Sequence, residues 1–141
     1  MRFDFKMGLT AIKAELKAKI DLQAGELRGL YITTIPGQDM VYMEKRIEAE
    51  LVVADPALGE TLPAAEIPHI AREAVASGVS RFDKAVEILT IANLWKQISP
   101  MIEERRLSVK SAIDAATTVA EARDAANVDW SDLVLPTPVS L

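Results

Sequence analysis

Ile35-Pro36-Gly37-Gln38-Asp39-Met40-Val41-Tyr42-Met43 places a chain-reversing turn directly before a helix start. Proline disfavours the α region for Ile35. Pro-Gly suits the centre of a type II turn, with glycine taking positive φ. Downstream, Met40, Met43, Ile47 and Leu51 recur at spacings of three, four and four, one face of a helix, with Tyr42 on an adjoining face. Glu44, Lys45, Arg46, Glu48 and Glu50 supply the polar side. Upstream, Thr10 opens a helix whose stripe is Leu9, Ile12, Leu16 and Ile20, continued by Leu27, Leu30 and Tyr31 to about residue 34. Gly25 and Gly29 weaken its middle, each costing about 1 kcal/mol against alanine, which implies close packing or a break. The short connection predicts an antiparallel hairpin over residues 10–54.

Asp55-Pro56 ends the second helix. Residues 55–66 read as a linker, carrying Pro56, Gly59 and Pro63. Helices over 67–128 follow. One runs from Ile67 to Ser77, starting near Pro68, with Gly78 at the cap position. Ser80 with Asp83 marks the next start. There Ile88, Ile91, Trp95, Ile98 and Ile102 keep three-four spacing, and Phe82, Val86 and Leu89 form a second row. Pro100 removes one backbone hydrogen bond and should kink or restart this helix near Ser99. The pattern resumes through Leu107, Val109 and Ile113 to about Ala116. Thr118 and Glu121 have capping-box spacing and open a short helix to about Asn127. The expected fold is all-α: a bundle of about five helices built on the N-terminal hairpin, one helical domain over 10–130. Extended arms flank it. Residues 1–9 alternate Phe3 and Phe5 with Arg2, Asp4 and Lys6, a strand-like pattern, and residues 131–141 hold Pro136 and Pro138.

Composition excludes more than it selects. The 141 residues are 50% hydrophobic but 5% aromatic, so the core is aliphatic and alanine-rich. A net charge of −5 opposes nonspecific nucleic-acid binding. Zero cysteines exclude disulfides, thiolate metal sites and cysteine nucleophiles, and one histidine excludes any site needing two. Lys13, Glu15, Lys17 and Lys19 interrupt any secretory leader, and no apolar run approaches a membrane span. The expectation is a soluble chain made in a cytoplasm, with no membrane and no nucleic-acid partner.

No catalytic, cofactor-binding or metal residue emerges. His69 follows Pro68 with no partner fixed by sequence, and reads as a helix-end histidine. Glu103, Glu104, Arg105 and Arg106 are adjacent, point about 100° apart around a helix and read as a solvated face. Asp114, Glu121, Asp124, Asp129 and Asp132 match no EF-hand loop. Phosphate-loop, dinucleotide and nucleophile-elbow motifs are absent. Met40 and Met43 suit core packing or an adaptable partner groove. Trp95 reads as core, while Trp130 either packs back or anchors a contact. Phe3 and Phe5 either lie on their own domain or dock on another chain. The candidate protein-interaction residues are Phe3, Phe5, Tyr31, Tyr42, Trp130, Leu133, Leu135 and Val139.

Three stretches carry a resemblance. They are Tyr31-Ile32-Thr33-Thr34-Ile35-Pro36-Gly37-Gln38 through Lys45, the run from Ala71-Arg72-Glu73-Ala74 to Ser77-Gly78-Val79-Ser80, and Trp95 with Ile102, Glu103, Arg106, Lys110, Ala112, Ile113, Ala115 and Ala116, ending in Val128-Asp129-Trp130. In this order they resemble small helical proteins encoded among tail-fibre and baseplate genes of tailed bacteriophages, over residues 10–130. The resemblance implies a structural virion component, a tail-fibre or baseplate-associated adaptor made in the host cytoplasm. Its partners would be other phage structural proteins, in a homo-oligomer or symmetric assembly. It brings no catalytic residues and no cofactor. The alternative is an assembly chaperone for a tail-fibre or tail protein. A lysozyme-like hydrolase would need two carboxylates converging across a cleft, and no such pair stands out.

Overall fold

The computed structural model describes the backbone of residues 5–135 and the side chains of residues 8–135. The described residues form six α-helices and one 3₁₀ turn, with no strand: α1 (Phe5–Arg28), α2 (Gln38–Ala54), α3 (Pro56–Thr61), α4 (Pro68–Ser77), α5 (Arg81–Ala115) and α6 (Val119–Ala125), with the 3₁₀ turn at Ser131–Leu133. The fold is all-α, as expected. The described residues divide into two compact units, one formed by residues 5–30 and 97–135, the other by Tyr31–Lys96.

In the Tyr31–Lys96 unit, punctuation residues do what their chemistry predicts. Gln38 N–H bonds the Ile35 carbonyl at 3.1 Å, and Gly37 takes φ 83°, ψ −11°, the third position of a type II turn. Asp55 ends α2 and caps α3, its Oδ1 accepting the Leu58 N–H at 3.2 Å, with Pro56 in the first turn. Residues 55–66 are therefore more than a linker, because they contain α3. Its Gly59 lies against Val52 of α2, where a Cβ would come within 2.8 Å of Val52 Cγ1. Gly78 closes α4 at φ 68°, and Val79 N–H reaches back to the Ala74 carbonyl. Ser80 Oγ accepts the Asp83 N–H at 3.0 Å and opens α5. The core joins Ala49 and Val52 of α2, Ile67, Ile70 and Ala71 around α4, and Ala85 and Ile88 of α5.

In the other unit, α1 packs on α6 and runs antiparallel to residues 103–114 of α5. The ion pairs set the direction: Lys17–Asp114, Asp21–Lys110, Asp21–Arg106 and Arg28–Glu103 climb one helix as they descend the other. Ile20, Ile113 and Ala126 form its core, flanked by Leu16, Val109, Val128 and Trp130. Thr118 Oγ1 accepts the Glu121 N–H at 3.1 Å, and Glu121 Oε2 returns to the N–H and hydroxyl of Thr117, one residue before the usual capping-box partner.

Three expectations are corrected. Helix α1 begins at Phe5, not Thr10, so residues 5–7 of the strand-like pattern are helical. Extending an existing helix by a few residues is far easier than nucleating an isolated strand. Helix α1 also stops at Arg28, short of residue 34, where Gly29 and the β-branched Thr33 and Thr34 disfavour continuation. Within the two units, α1 pairs with α5 and α6, and α2 with α3 and α4. Finally, α5 runs through Pro100 for 35 residues, so of the kink or restart expected near Ser99 the restart does not occur. The loss at proline is one bond to the Lys96 carbonyl plus local crowding, and fully buried Ile102 anchors the turn that follows. The opening of the C-terminal arm is a 3₁₀ turn. Residues 1–4 and 136–141 lie outside the described residues.

Candidate functional site

The expected interaction residues separate into distinct environments. Tyr31 is 1% exposed, its ring 6.4 Å from that of Trp95, and Leu133 is also 1% exposed. Both are interior residues in this structure, which removes them from an accessible surface. The reason is local: the chain after α1 turns Tyr31 inward, and the 3₁₀ turn does the same for Leu133. Tyr42 is half-buried, and its hydroxyl accepts the Thr33 N–H across the Pro-Gly turn. Trp130 packs back. Its Nε1 donates to Gln23 Oε1 at 3.0 Å, and the Arg105 guanidinium lies 5.8 Å from its ring centre. Leu135 is half-buried. Phe5 has helical backbone, but its side chain, with Phe3 and Val139, lies outside the described residues.

The charges read as a solvated face are largely engaged. Glu103 accepts from Arg106 at 2.7 Å and from Arg28 at 2.7 Å, and Arg106 also reaches Asp21 at 2.9 Å. Hydrogen bonds from Arg106 hold the Glu103 carboxyl down at about 2, with Arg28 adding to the pull against partial burial. Hydrogen bonds from Lys110 and Arg106 lower Asp21 in the same way. Arg105 grips Asp132 with both nitrogens, at 2.5 and 2.8 Å, and lowers it. A sequence signal for this ladder existed. Lys13 and Lys17, then Asp21, then Arg28 is the charge complement, in reverse, of Glu103, then Arg106 and Lys110, then Asp114.

His69 has the carboxylate partner that the sequence left open. Its Nε2 lies 3.0 Å from Glu44 Oε2. Its backbone N–H, with that of Ile70, is taken by Glu48 Oε1 at 2.8 and 3.3 Å. Helix α4 has no side-chain cap of its own, so Glu48 supplies one from α2. The cluster closes a helix end. Among the described residues no group of three or more histidine, aspartate or glutamate side chains is placed to hold a metal ion. None of the described helices is long and apolar enough to cross a membrane. A shallow depression on α5 is lined by Met101, Glu104, Arg105 and Ser108.

The feature that periodicity located without deciding its side is on α2. The helix turns Glu48, Ala49 and Val52 inward. The large apolar stripe faces out: Met40 and Met43 are each 66% exposed, Ile47 60% and Leu51 46%. At 100° per residue these four span an arc of roughly 80°, centred almost opposite Ala49. Helix α2 thus has a small-residue face in the core and a large-residue face outside. Of the two readings open for Met40 and Met43, their exposure does not fit core packing. Compared with protein-family models, curated proteins and solved structures, the chain matches none.

Proposed function

We propose that the protein is a non-catalytic structural adaptor of a tailed-bacteriophage particle, associated with the tail, tail fibre or baseplate. Its partners are other structural proteins of the particle. The observation that carries the adaptor reading is the apolar outer stripe of α2, from Met40 to Leu51. A helix already packed on one face gains no stability from four large apolar residues on the other, and such patches mark contact sites. The phage assignment rests on the resemblance of Tyr31–Lys45, the mid-chain run and the closing Val128-Asp129-Trp130. The polar clusters support the same reading. Glu48, Asp55, Ser80 and Thr118 cap helix starts, while Asp21, Glu103 and Arg106 clamp α1 to α5. The adaptor needs surface rather than a reactive group.

Mass spectrometry of gradient-banded particles, scaled to the major capsid protein, tests the proposal. Stoichiometric presence is the expected result, and copy number assigns the site. Absence from particles, with abundance in the infected-cell lysate, overturns the virion role in favour of an assembly chaperone.

A further inference from the structure

The outer stripe of α2 has a rim, and the rim has a sign. Asp39, Arg46 and Glu50 flank Met40, Met43, Ile47 and Leu51 on one side, and Glu44 flanks them on the other. Arg46 is already shared with Glu50, at 3.5 Å along the same helix. Glu44 meets His69 yet keeps most of its side chain in water. The rim is therefore net acidic on both sides of an apolar strip about three turns long.

Size and charge select the occupant. The four side chains expose a few hundred Å² of apolar surface, short of the roughly 800 Å² per partner of a standard stable interface. A second copy would add its own Asp39, Glu44 and Glu50 to the same rim, in a chain of net charge −5. Like charges facing each other across a small contact oppose association. A helix with a matching apolar stripe satisfies the strip, and lysine or arginine beside that stripe satisfies the rim. Two methionines give the strip side chains that adapt to an imperfect partner surface.

We infer that the Met40–Leu51 face of α2 docks a basic amphipathic helix of another protein. The inference rests on the adaptor reading and gives its partner a chemistry.

The test uses the full chain and a fluorescent 18-residue synthetic helix with leucine at heptad core positions and lysine beside them. An acidic twin carries glutamate in place of each lysine. Fluorescence anisotropy should show the lysine helix binding in the micromolar range, and the acidic twin at least tenfold more weakly. The double variant Met43→Gln/Ile47→Gln, with unchanged charge and wild-type helicity by circular dichroism, should bind the lysine helix at least tenfold more weakly. Leu22→Gln, at an exposed leucine of α1, should bind as wild type does. Equal binding by the double variant and wild type would reduce the attraction to charge alone and overturn the inference. So would a concentration-dependent dimer, seen by sedimentation, that Ile47→Gln abolishes, because the occupant is then a second copy. Particles that contain the protein while the lysine helix fails to bind would sink this inference and leave the virion role standing.

Discussion

The carboxylate of Glu48 on α2 takes the backbone N–H of His69 at 2.8 Å and so caps α4 from a neighbouring helix. Glu48 is 6% exposed, and the same oxygen also accepts from Ile70. A buried charge is tolerated here because two amide donors and the positive end of a helix face it. Glu48→Ala leaves both donors at a buried helix end without this acceptor and should cost about 1–3 kcal/mol. Glu48→Gln keeps an acceptor oxygen and should cost less. Urea denaturation followed by circular dichroism checks the order. Equal losses in the two variants would mean that the charge, not the hydrogen bonds, holds α4.

Two glycines should respond to alanine with opposite signs. Gly25 lies in the interior of α1 with open space where a Cβ would go. Alanine there should stabilise by about 0.5–1 kcal/mol through helix propensity. At Gly59 an added Cβ would come within 2.8 Å of Val52 Cγ1 and 3.1 Å of its backbone Cα, so the neighbour cannot yield by a rotamer change alone. Gly59→Ala should destabilise by about 1–3 kcal/mol, as overpacked interiors do. Thermal unfolding of both variants decides the matter, and a rise in midpoint for Gly59→Ala would show that α3 can shift away from α2.

This contrast shows where sequence stops. Pro36-Gly37, Asp55-Pro56, Gly78, Ser80 and Thr118 act within a few residues of themselves, so their roles could be read directly. Periodicity also located the helices, but it yields stripes and not partners. On α2 the larger stripe looked like the core, whereas the interior takes Ala49 and Val52. Small residues let α3 and α4 approach closely, as Gly59 against Val52 illustrates. Glu48 read as surface because its donors, at residues 69 and 70, are supplied by a helix 20 positions away. Arg106 and Asp21 are 85 residues apart, and only the complementary order of charges along the two helices hinted at their meeting. The exposed α2 stripe, the centre of the functional reading, was visible as a pattern, but periodicity alone left open whether it faced the core or the surface.

Acid should loosen the unit that holds α1. Glu103 titrates near 2 in the folded chain, against an ordinary 4.5, chiefly through the hydrogen bonds from Arg106. A lowered folded-state value means that the unfolded chain binds the proton more readily, so stability from this group rises with pH. Its contribution is complete above about 4.5 and is lost as pH falls toward about 2. Asp21 and Asp114, lowered by Lys110 and Lys17 respectively, change in the same direction. Denaturation midpoints should therefore fall across this window, and Glu103→Gln should flatten the fall. Added salt should also weaken the wild-type dependence, since these groups are partly solvated. An unchanged profile for Glu103→Gln would assign the acid sensitivity to other carboxylates.

The close of the described chain is held by a polar clasp over an apolar plug, and the two can be separated. Leu133 is the plug, and Leu133→Ala should cost about 2–5 kcal/mol, the range for a buried leucine. The clasp is Arg105 on Asp132, with Trp130 Nε1 on Gln23. Arg105→Lys keeps the charge but loses the two-pronged geometry and the stacking plane. Because Asp132 is largely solvated, its ion pair contributes little, and Arg105→Lys should cost under about 1 kcal/mol. In a Trp95→Phe background Trp130 is the sole tryptophan and a built-in reporter, since its fluorescence responds to water at the indole. Arg105→Lys should shift its emission while barely moving the urea midpoint, whereas Leu133→Ala should move both. A large midpoint loss in Arg105→Lys would show that the clasp, and not the plug, holds the end of the chain in place.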